Sequence, residues 1–335
     1  MGLRQGMNIV VTGGAGFIGS TLVRRLLDLG CSVSVIDDLS GGREENLPNH
    51  PGVTLHRLRI GTDTADQVEA VVADADMVYH LASPIGVALA HQARYEVVEN
   101  ILSSGIAVVR ACKAHRRPLV LTSSSEIYGG GLPRPLREAD PSCLDIAPRW
   151  GYASAKMALE QMGAGLCLEH GVPVWLIRPF NIAGIRQRSE TGLVVASFVA
   201  AAMQNRPLDV HGDGSQLRSF LHVEDAADAL MAVTSAASLA GRPINIGSES
   251  PITIGALARL VLDIVGSASP IIQTPYDDMF DGLFTHATSR IPDIGLIKGA
   301  TDWRPHRSLD DAIRDCWRGM ADDTPRLPPT TVSRL

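Results

Sequence analysis

Apolar residues along the chain fall into short runs separated by polar, glycine-bearing stretches. Residues 8–11, 32–36, 53–58, 77–81, 119–122 and 174–177 are such runs. Each is short enough for a buried strand and too short for a buried helix. Between them the apolar positions recur at helical spacing. In 17–29, Phe17, Ile18, Leu22, Leu26 and Leu29 share a face and Gly30 follows as a stop signal. Residues 65–72, 95–115 and 151–170 read as further helices. Alternating strands and helices predict an α/β fold, a doubly wound parallel sheet with helices on both faces. Residues 129–150, rich in Gly and Pro, read as a long loop. Beyond about 179 the rhythm loosens, and glycine and proline clusters punctuate shorter elements. The pattern therefore divides the chain into a regular part, 1–180, and a smaller C-terminal α/β part, 181–324. Some later segments are expected to return to the first part. The tail, 325–335, is expected to be disordered from its Pro and Thr content.

Composition adjusts this picture in a few places. Aromatics make up 4% of 335 residues, so the core must be aliphatic, as suits strands buried on both faces. Net charge is −6, with no basic stripe, so no nucleic-acid partner is expected. No apolar run approaches the ~20 residues of a membrane-spanning helix, and no signal-peptide pattern opens the chain. Cys31, Cys112, Cys143, Cys167 and Cys316 are scattered and never spaced as CxxC. Reduced thiols in a cytoplasmic protein without a metal site are the expectation.

The chemistry begins at Thr12-Gly13-Gly14-Ala15-Gly16-Phe17-Ile18-Gly19, which follows a strand and opens a helix. Gly13 permits a tight turn, Gly16 a close backbone approach to a pyrophosphate, and Gly19 close packing of helix on sheet. The helix N-terminus offers free N–H groups to phosphates. The next strand ends in Ile36-Asp37-Asp38. A carboxylate there suits the adenosine ribose hydroxyls and repels a 2′-phosphate, so Asp37 favours NAD over NADP. This makes the sheet Rossmann-type.

Tyr152 and Lys156 stand four apart on a predicted helix and so share a face. A free tyrosine, with a pKa near ~10, is a poor base at neutral pH. An adjacent ammonium and the positive charge of oxidised nicotinamide favour the phenolate. Lys156 could also hold the nicotinamide ribose. A third element, Leu121-Thr122-Ser123-Ser124-Ser125-Glu126-Ile127-Tyr128-Gly129, lies at the C-terminal end of a predicted strand, where ligands bind in doubly wound sheets.

With its G-x-x-G-x-x-G spacing and intact TGGAGFIGS, the chain resembles the extended short-chain dehydrogenase/reductase family, the NAD-dependent nucleotide-sugar epimerases and dehydratases. The resemblance implies that Ser124 is the catalytic hydroxyl, Tyr152 the base and Lys156 its activator. Glu126 occupies the place of a glutamate common in dehydratases and decarboxylases; decarboxylases read Thr-Ser-Glu there, close to Ser124-Ser125-Glu126. The 4,6-dehydratases read Asp-Glu, where this chain has Ser125. His80-Leu81-Ala82-Ser83 resembles the HLAA segment lining the NAD, and Asn100 the asparagine of the next helix. The resemblance also places Phe17, Ile18, Asp38, Ser40, Ile60, Thr122 and Pro179 along the cofactor. Ser125, Asn181 within Arg178-Pro179-Phe180-Asn181, Arg186, Val194, His211, Gln216 and Arg218 fall on the side of the sugar nucleotide, with Arg218 clamping the diphosphate. Three departures stand out: Leu58-Arg59-Ile60-Gly61 replaces the Gly-Asp-x-x-Asp segment that touches the adenine, Ser219 replaces an aspartate, and a second phosphate-gripping arginine is missing near 279–285. His286 or Arg290 could take its place.

The implied chemistry is hydride transfer from a sugar carbon, usually C4, to NAD, with Tyr152 taking the hydroxyl proton. The 4-keto sugar is then a branch point. Hydride return to the other face gives an epimer, proton loss at C5 leads to dehydration, and a C6 carboxylate can leave as carbon dioxide. The leading expectation is a 4-epimerase acting on a UDP- or dTDP-linked sugar; a UDP-glucuronate decarboxylase or a dehydratase comes second. From other classes come a non-catalytic NAD(H)-binding regulator and an oxidoreductase using diffusible NAD on a free alcohol. A homodimer pairing through 95–115 and 151–170 is expected.

Overall fold

The computed structural model describes residues 2–83, 93–275 and 289–322. His286 and the segment 325–335 lie outside the described residues. Seven parallel strands form the main sheet. In chain order they begin with β1 (Asn8–Thr12), β2 (Ser32–Asp37), β3 (Val53–Arg57), β4 (Met77–His80), β5 (Leu119–Thr122) and β6 (Val174–Pro179). Strands β7 (Ile182–Ala183), β8 (Leu208–His211), β9 (Leu217–Ser219) and β10 (Leu221–His222) lie outside it, and β11 (Pro243–Ile246) is the seventh member. The order is β11-β6-β5-β4-β1-β2-β3, reversing direction of growth at β1/β4, the place where such sheets open a crevice.

Alternation along β1 explains the two layers. Ile9 and Val11 point to one face and Val10 to the other. On the first face, Leu22, Val23 and Leu26 of α1 (Phe17–Asp28) pack with Ala226, Ala227 and Leu230 of a helix at Val223–Ala232. On the second face lie α2 (Ala65–Ala73), α3 (Arg94–His115) and α4 (Gly151–His170), through Val68, Val72, Ile101, Val108 and Leu159. Helix α1 stops where the sequence says it should: Gly30 has φ +82, and its N–H returns to Leu27 O at 2.8 Å.

A third cluster holds the rest of the chain. It joins α5 (Val194–Met203), α7 (Ile254–Val265) and α9 (Leu309–Asp322) to small sheets, while the helix at Val223–Ala232 (α6) and α8 (Gly295–Ala300) pack in the first cluster. These sheets are β10-β7, β13-β8 with β13 (Ile271–Thr274), and β12-β9-β14 with β12 (Pro251–Thr253) and β14 (Ser289–Arg290). The chain runs back and forth between the two parts: α6 and β11 both join the layers around the main sheet. Two stretches expected from the sequence end later than their apolar runs, β2 at Asp37 and β6 at Pro179.

Candidate active site

The glycine loop is built as a cradle between β1 and α1. Gly13 has φ +69, and a Cβ there would meet Ala82 N at 2.8 Å. A Cβ on Gly19 would lie 2.1 Å from Gly13 O, so the helix can approach the loop only without a side chain. Gly16 is the N-cap of α1 and no side chain caps it. The first turn therefore presents its N–H groups and dipole outward, ready for a pyrophosphate. Asp37 closes the loop from β2, its carboxylate accepting from Ala15 N and Leu39 N, both at 2.9 Å. Burial raises its pKa, and the two amides offset only part of that rise. Asp38 and Ser40 are exposed beside it, Asp38 accepting from the Ser40 hydroxyl at 2.5 Å. These residues fit NAD: a Cβ-free cradle for phosphates and a carboxylate where the ribose would lie.

At the other end of the crevice, α4 presents Tyr152, and one turn later Lys156. Ser124 and Ser83 hydroxyls hydrogen-bond the Tyr152 side chain. Lys156 Nζ donates to Thr122 O at 3.1 Å and lies 5.9 Å from the centre of the Tyr152 ring. Lys156 is 2% exposed, and loss of water lowers its pKa to about 8. Loss of water likewise pushes Tyr152 up to about 12, and Ser124 and Ser83 offset only part of this. Without the cofactor the phenol is therefore held protonated at neutral pH, and the positive charge of oxidised nicotinamide would favour the phenolate. His80 closes the back of the site. Ala82 N donates to Thr12 Oγ1 at 3.1 Å, and the Thr12 hydroxyl shares a hydrogen bond with His80 Nδ1 at 2.8 Å. Burial, helped by the Lys156 charge, drives His80 down to about 3 and keeps it neutral.

Ser124 does two things. It caps a single 3₁₀ turn, Ser125–Tyr128, by accepting from Glu126 N at 3.1 Å, and it faces Tyr152. Ser125 is buried within that turn. The turn aims Glu126 at a group of arginines. Glu126 forms an ion pair with Arg290, whose Nη2 also donates to Gly129 O at 3.1 Å. Arg149 Nη2 lies 3.9 Å from the other carboxylate oxygen. Burial alone would raise the Glu126 pKa, but Arg290, Arg149 and Arg218 together hold it below its usual range. Arg218 on β9 and Arg290 on β14 are partners in parallel register, which puts the two guanidinium-bearing side chains on the same face. Arg290, considered above for a phosphate, pairs here with Glu126.

The remaining residues singled out from the sequence distribute as follows. Phe17, Ile18 and Leu81 are partly buried against the α1-side core, and Ala82 against the other. Thr122 donates to His80 O at 2.6 Å, and Pro179 ends β6. Ile60 is buried in the α2–α3 layer, and Asn100 on α3 accepts from Arg59 at 2.6 Å. Asn181 donates to Ser219 O at 3.1 Å, and Gln216 donates to His211 O at 2.8 Å. Val194 begins α5 and packs on the third cluster. Arg186 stands apart: its guanidinium donates to Ser20 Oγ (2.9 Å) and Thr21 Oγ1 (2.7 Å) of α1, tying the loop after β7 to the nucleotide helix. Sequence reasoning missed Arg149. It lies in the aperiodic 129–150 loop, and only its stacking on the neighbouring Trp150 ring, 3.8 Å from the centroid, distinguishes it.

Residues 9–247 match the family model described as NAD dependent epimerase/dehydratase family. A UDP-N-acetyl-alpha-D-glucosaminuronate decarboxylase from Bacillus cytotoxicus is 31% identical over 313 residues, covering 91% of this chain and 95% of that one. A UDP-glucuronic acid decarboxylase from Arabidopsis thaliana is 33% identical, covering 92% of this chain and 69% of its own. Among solved structures, Pal from Bacillus thuringiensis superposes with a TM-score of 0.84 at 28% identity, covering 94% of this chain and 99% of that one. A UDP-N-acetylglucosamine 4-epimerase from Methanobrevibacter ruminantium M1 gives 0.84 at 26% identity, with 96% and 100% covered. The sequence reading put epimerisation first; the curated relatives named here are decarboxylases, and epimerisation gains no special support. The chain belongs to the NAD dependent epimerase/dehydratase family: it is an enzyme that modifies a nucleotide-linked sugar, with NAD as its cofactor.

Proposed function

We propose that this enzyme removes the C6 carboxylate of a UDP-linked hexuronate as carbon dioxide, after oxidation at C4. The observation that carries the proposal is Arg290 ion-paired with Glu126 on the turn that Ser124 begins. A uronate differs from a neutral hexose by one carboxylate, and a buried guanidinium with forked donors is the side chain suited to hold it. Arg149 and Arg218 add positive charge at the same place. The printed names of the two curated relatives point to the same substrate class.

The residue roles follow from the geometry. Held by the Gly13–Gly16 loop and Asp37, NAD would supply hydride-transfer chemistry at C4. Tyr152 takes the C4 hydroxyl proton, with Ser124 donating to the same oxygen. A C4 ketone is β to the C6 carboxylate, so the electron pair of the breaking C5–C6 bond passes to the C4 oxygen. The Ser124 and Tyr152 hydroxyls stabilise that enolate as it forms. Lys156 holds its position through Thr122 O and contributes positive charge near the phenol. Glu126 orients Arg290, and Arg290 keeps the substrate carboxylate ionised. Proton delivery to C5 and reduction at C4 would leave a UDP-pentose or its N-acetylated analogue. We propose further that Gly13, Gly16, Asp37 and Ser83 line the cofactor, Arg218, Asn181 and Gln216 the sugar nucleotide, and that two copies pair through α3 and α4. Exposed Tyr95 and Leu168 lie on those helices; gel filtration as a monomer would remove that last element.

Epimerisation would use the same Ser124, Tyr152 and Lys156 but gives Arg290 no carboxylate to hold. Incubation with UDP-glucuronate, UDP-N-acetylglucosaminuronate, UDP-glucose and dTDP-glucose, followed by mass spectrometry, separates the readings. Loss of carbon dioxide from a uronate is expected; isomerisation of a neutral sugar with the uronates untouched would refute decarboxylation.

A further inference from the structure

A buried polar network reaches the helix of Tyr152 and Lys156 and the 3₁₀ turn of Glu126. Arg178 of β6 donates through Nε and Nη2 to both carboxylate oxygens of Glu160, at 2.9 and 2.7 Å. Its Nη1 donates to the Tyr128 hydroxyl (3.0 Å) and to Glu138 O (3.1 Å). Tyr128 donates onward to Asn245 Oδ1 at 2.7 Å. Asn245, on β11, donates from Nδ2 to Leu136 O (2.9 Å) and Asp293 O (3.2 Å), and from its backbone N to Glu138 Oε1 (2.9 Å). The Arg178 and Glu160 side chains are only 8% and 4% exposed.

The placement of the members is informative. Tyr152, Lys156 and Glu160 are spaced four apart on α4, so Glu160 continues the face of the reacting pair. Tyr128 is two residues past Glu126 on the 3₁₀ turn. Asp293 is three past Arg290, and that segment is fixed by reciprocal backbone bonds between Leu136 and residues 291 and 293 at 2.8 Å. Stability alone does not call for such a pair, because desolvating two charges costs as much as their attraction returns, and apolar packing would serve as well. What a bidentate buried pair supplies is a fixed separation and angle.

We propose that Arg178 and Glu160 form a positioning pair, which sets the Tyr152/Lys156 helix at a fixed distance from the Glu126–Arg290 side. Oxidation at C4 and retention of the C6 carboxylate then occur in one substrate pose. The inference rests on the decarboxylase reading for the identity of the second group, but not for the coupling itself. A substrate held at both ends loses rate steeply when the ends shift, by about 100-fold for a displacement near 1 Å.

The test uses full-length, NAD-loaded enzyme. Arg178→Met/Glu160→Leu removes both charges together, and Tyr128→Phe removes the hydroxyl that links Arg178 to Asn245 while leaving the Arg178–Glu160 pair in place. Melting temperature, kcat and KM are measured for each. Expected in the double variant is a folded protein whose kcat falls about 100-fold while KM stays within about threefold. Tyr128→Phe is expected to lose about tenfold in kcat with KM unchanged. Arg178→Lys should fail to rescue, since an ammonium cannot serve Glu160 bidentately and Tyr128 at once. A folded double variant with kcat within about threefold of the parent overturns the proposal, as does a loss carried wholly by KM. If the double variant does not fold, Tyr128→Phe with parental kcat overturns it. A parent enzyme that converts a UDP-sugar without releasing carbon dioxide refutes the decarboxylase reading alone, and the same variants then test the positioning pair on that sugar.

Discussion

Replacing Arg290 by methionine keeps most of the side-chain length and removes the charge. Arg290 is 6% exposed and holds Glu126 and Gly129 O. If it also binds the substrate carboxylate, its loss deletes a hydrogen bond between charged groups, about 1.5–3 kcal/mol. That is about 10- to 150-fold in affinity for UDP-glucuronate. UDP-glucose has no C6 carboxylate and should bind the variant as it binds the parent. The fold should survive, because the Glu126 side chain is 38% exposed and keeps the compensating charges of Arg149 and Arg218. The pH dependence has a definite sign. Arg290 helps to hold the folded Glu126 pKa below its unfolded value, so the pair stabilises above the unfolded pKa and is lost as pH falls through the folded one. The variant should therefore be the less stable protein at neutral pH, and the two should converge in acid. Calorimetric titration of both ligands into parent and variant measures the effect. Equal weakening of UDP-glucose and UDP-glucuronate, or no change in either, would refute the assignment of Arg290.

Other consequences are direct. Tyr152→Phe should keep its NAD and lose about 10²- to 10⁴-fold in turnover, the usual contribution of a positioned acid–base, checked by steady-state rates and by NAD released on denaturation. Lys156→Met should stabilise the cofactor-free protein while abolishing turnover. The Lys156 pKa is lowered to about 8 on burial, so the fold disfavours its charged form, and the penalty is full below pH about 8 and fades toward the unfolded value near ~10.4. The gain should be up to about 3 kcal/mol below that pH and shrink above it, as urea melts at pH 7 and 10 would record. Gly19→Ala should not retain NAD, because its Cβ would sit 2.1 Å from Gly13 O and must push α1 off the loop; absorbance of the purified protein reports this.

The sheet from β1 to β6 was legible because its strands are aliphatic runs between helices with clear apolar faces. Gly13, Gly19 and Gly30 mark places where the backbone itself demands glycine. The membership of β11 was not legible. Ile244 and Ile246 alternate as many surface strands do, and only the packing shows them in register with Ile177 and Pro179. The site shows the same division. Tyr152 and Lys156 carry a spacing that chemistry requires, and Ser124 was named by the family resemblance. Arg186 carries a motif but spends its donors on Ser20 and Thr21 of α1. Arg149 carries no signal, and neither the Arg178 motif nor the i+4 place of Glu160 discloses that the two pair, since long-range ion pairs leave no period in the chain. Glu160, one helical turn past Lys156, reads as solvated decoration until burial is known. Spacing reports the neighbouring Lys156 but not the loss of water that raises the Tyr152 phenol to about 12 in the absence of the nicotinamide charge.

The most direct measurement uses UDP-glucuronate carrying deuterium at C4. Oxidation and re-reduction within one closed site predict a decarboxylated UDP-pentose that keeps the label at C4, with one proton from solvent newly placed at C5. A product of unchanged mass, or a pentose whose C4 label has been lost to bulk, would contradict decarboxylation through a C4 ketone held at this site.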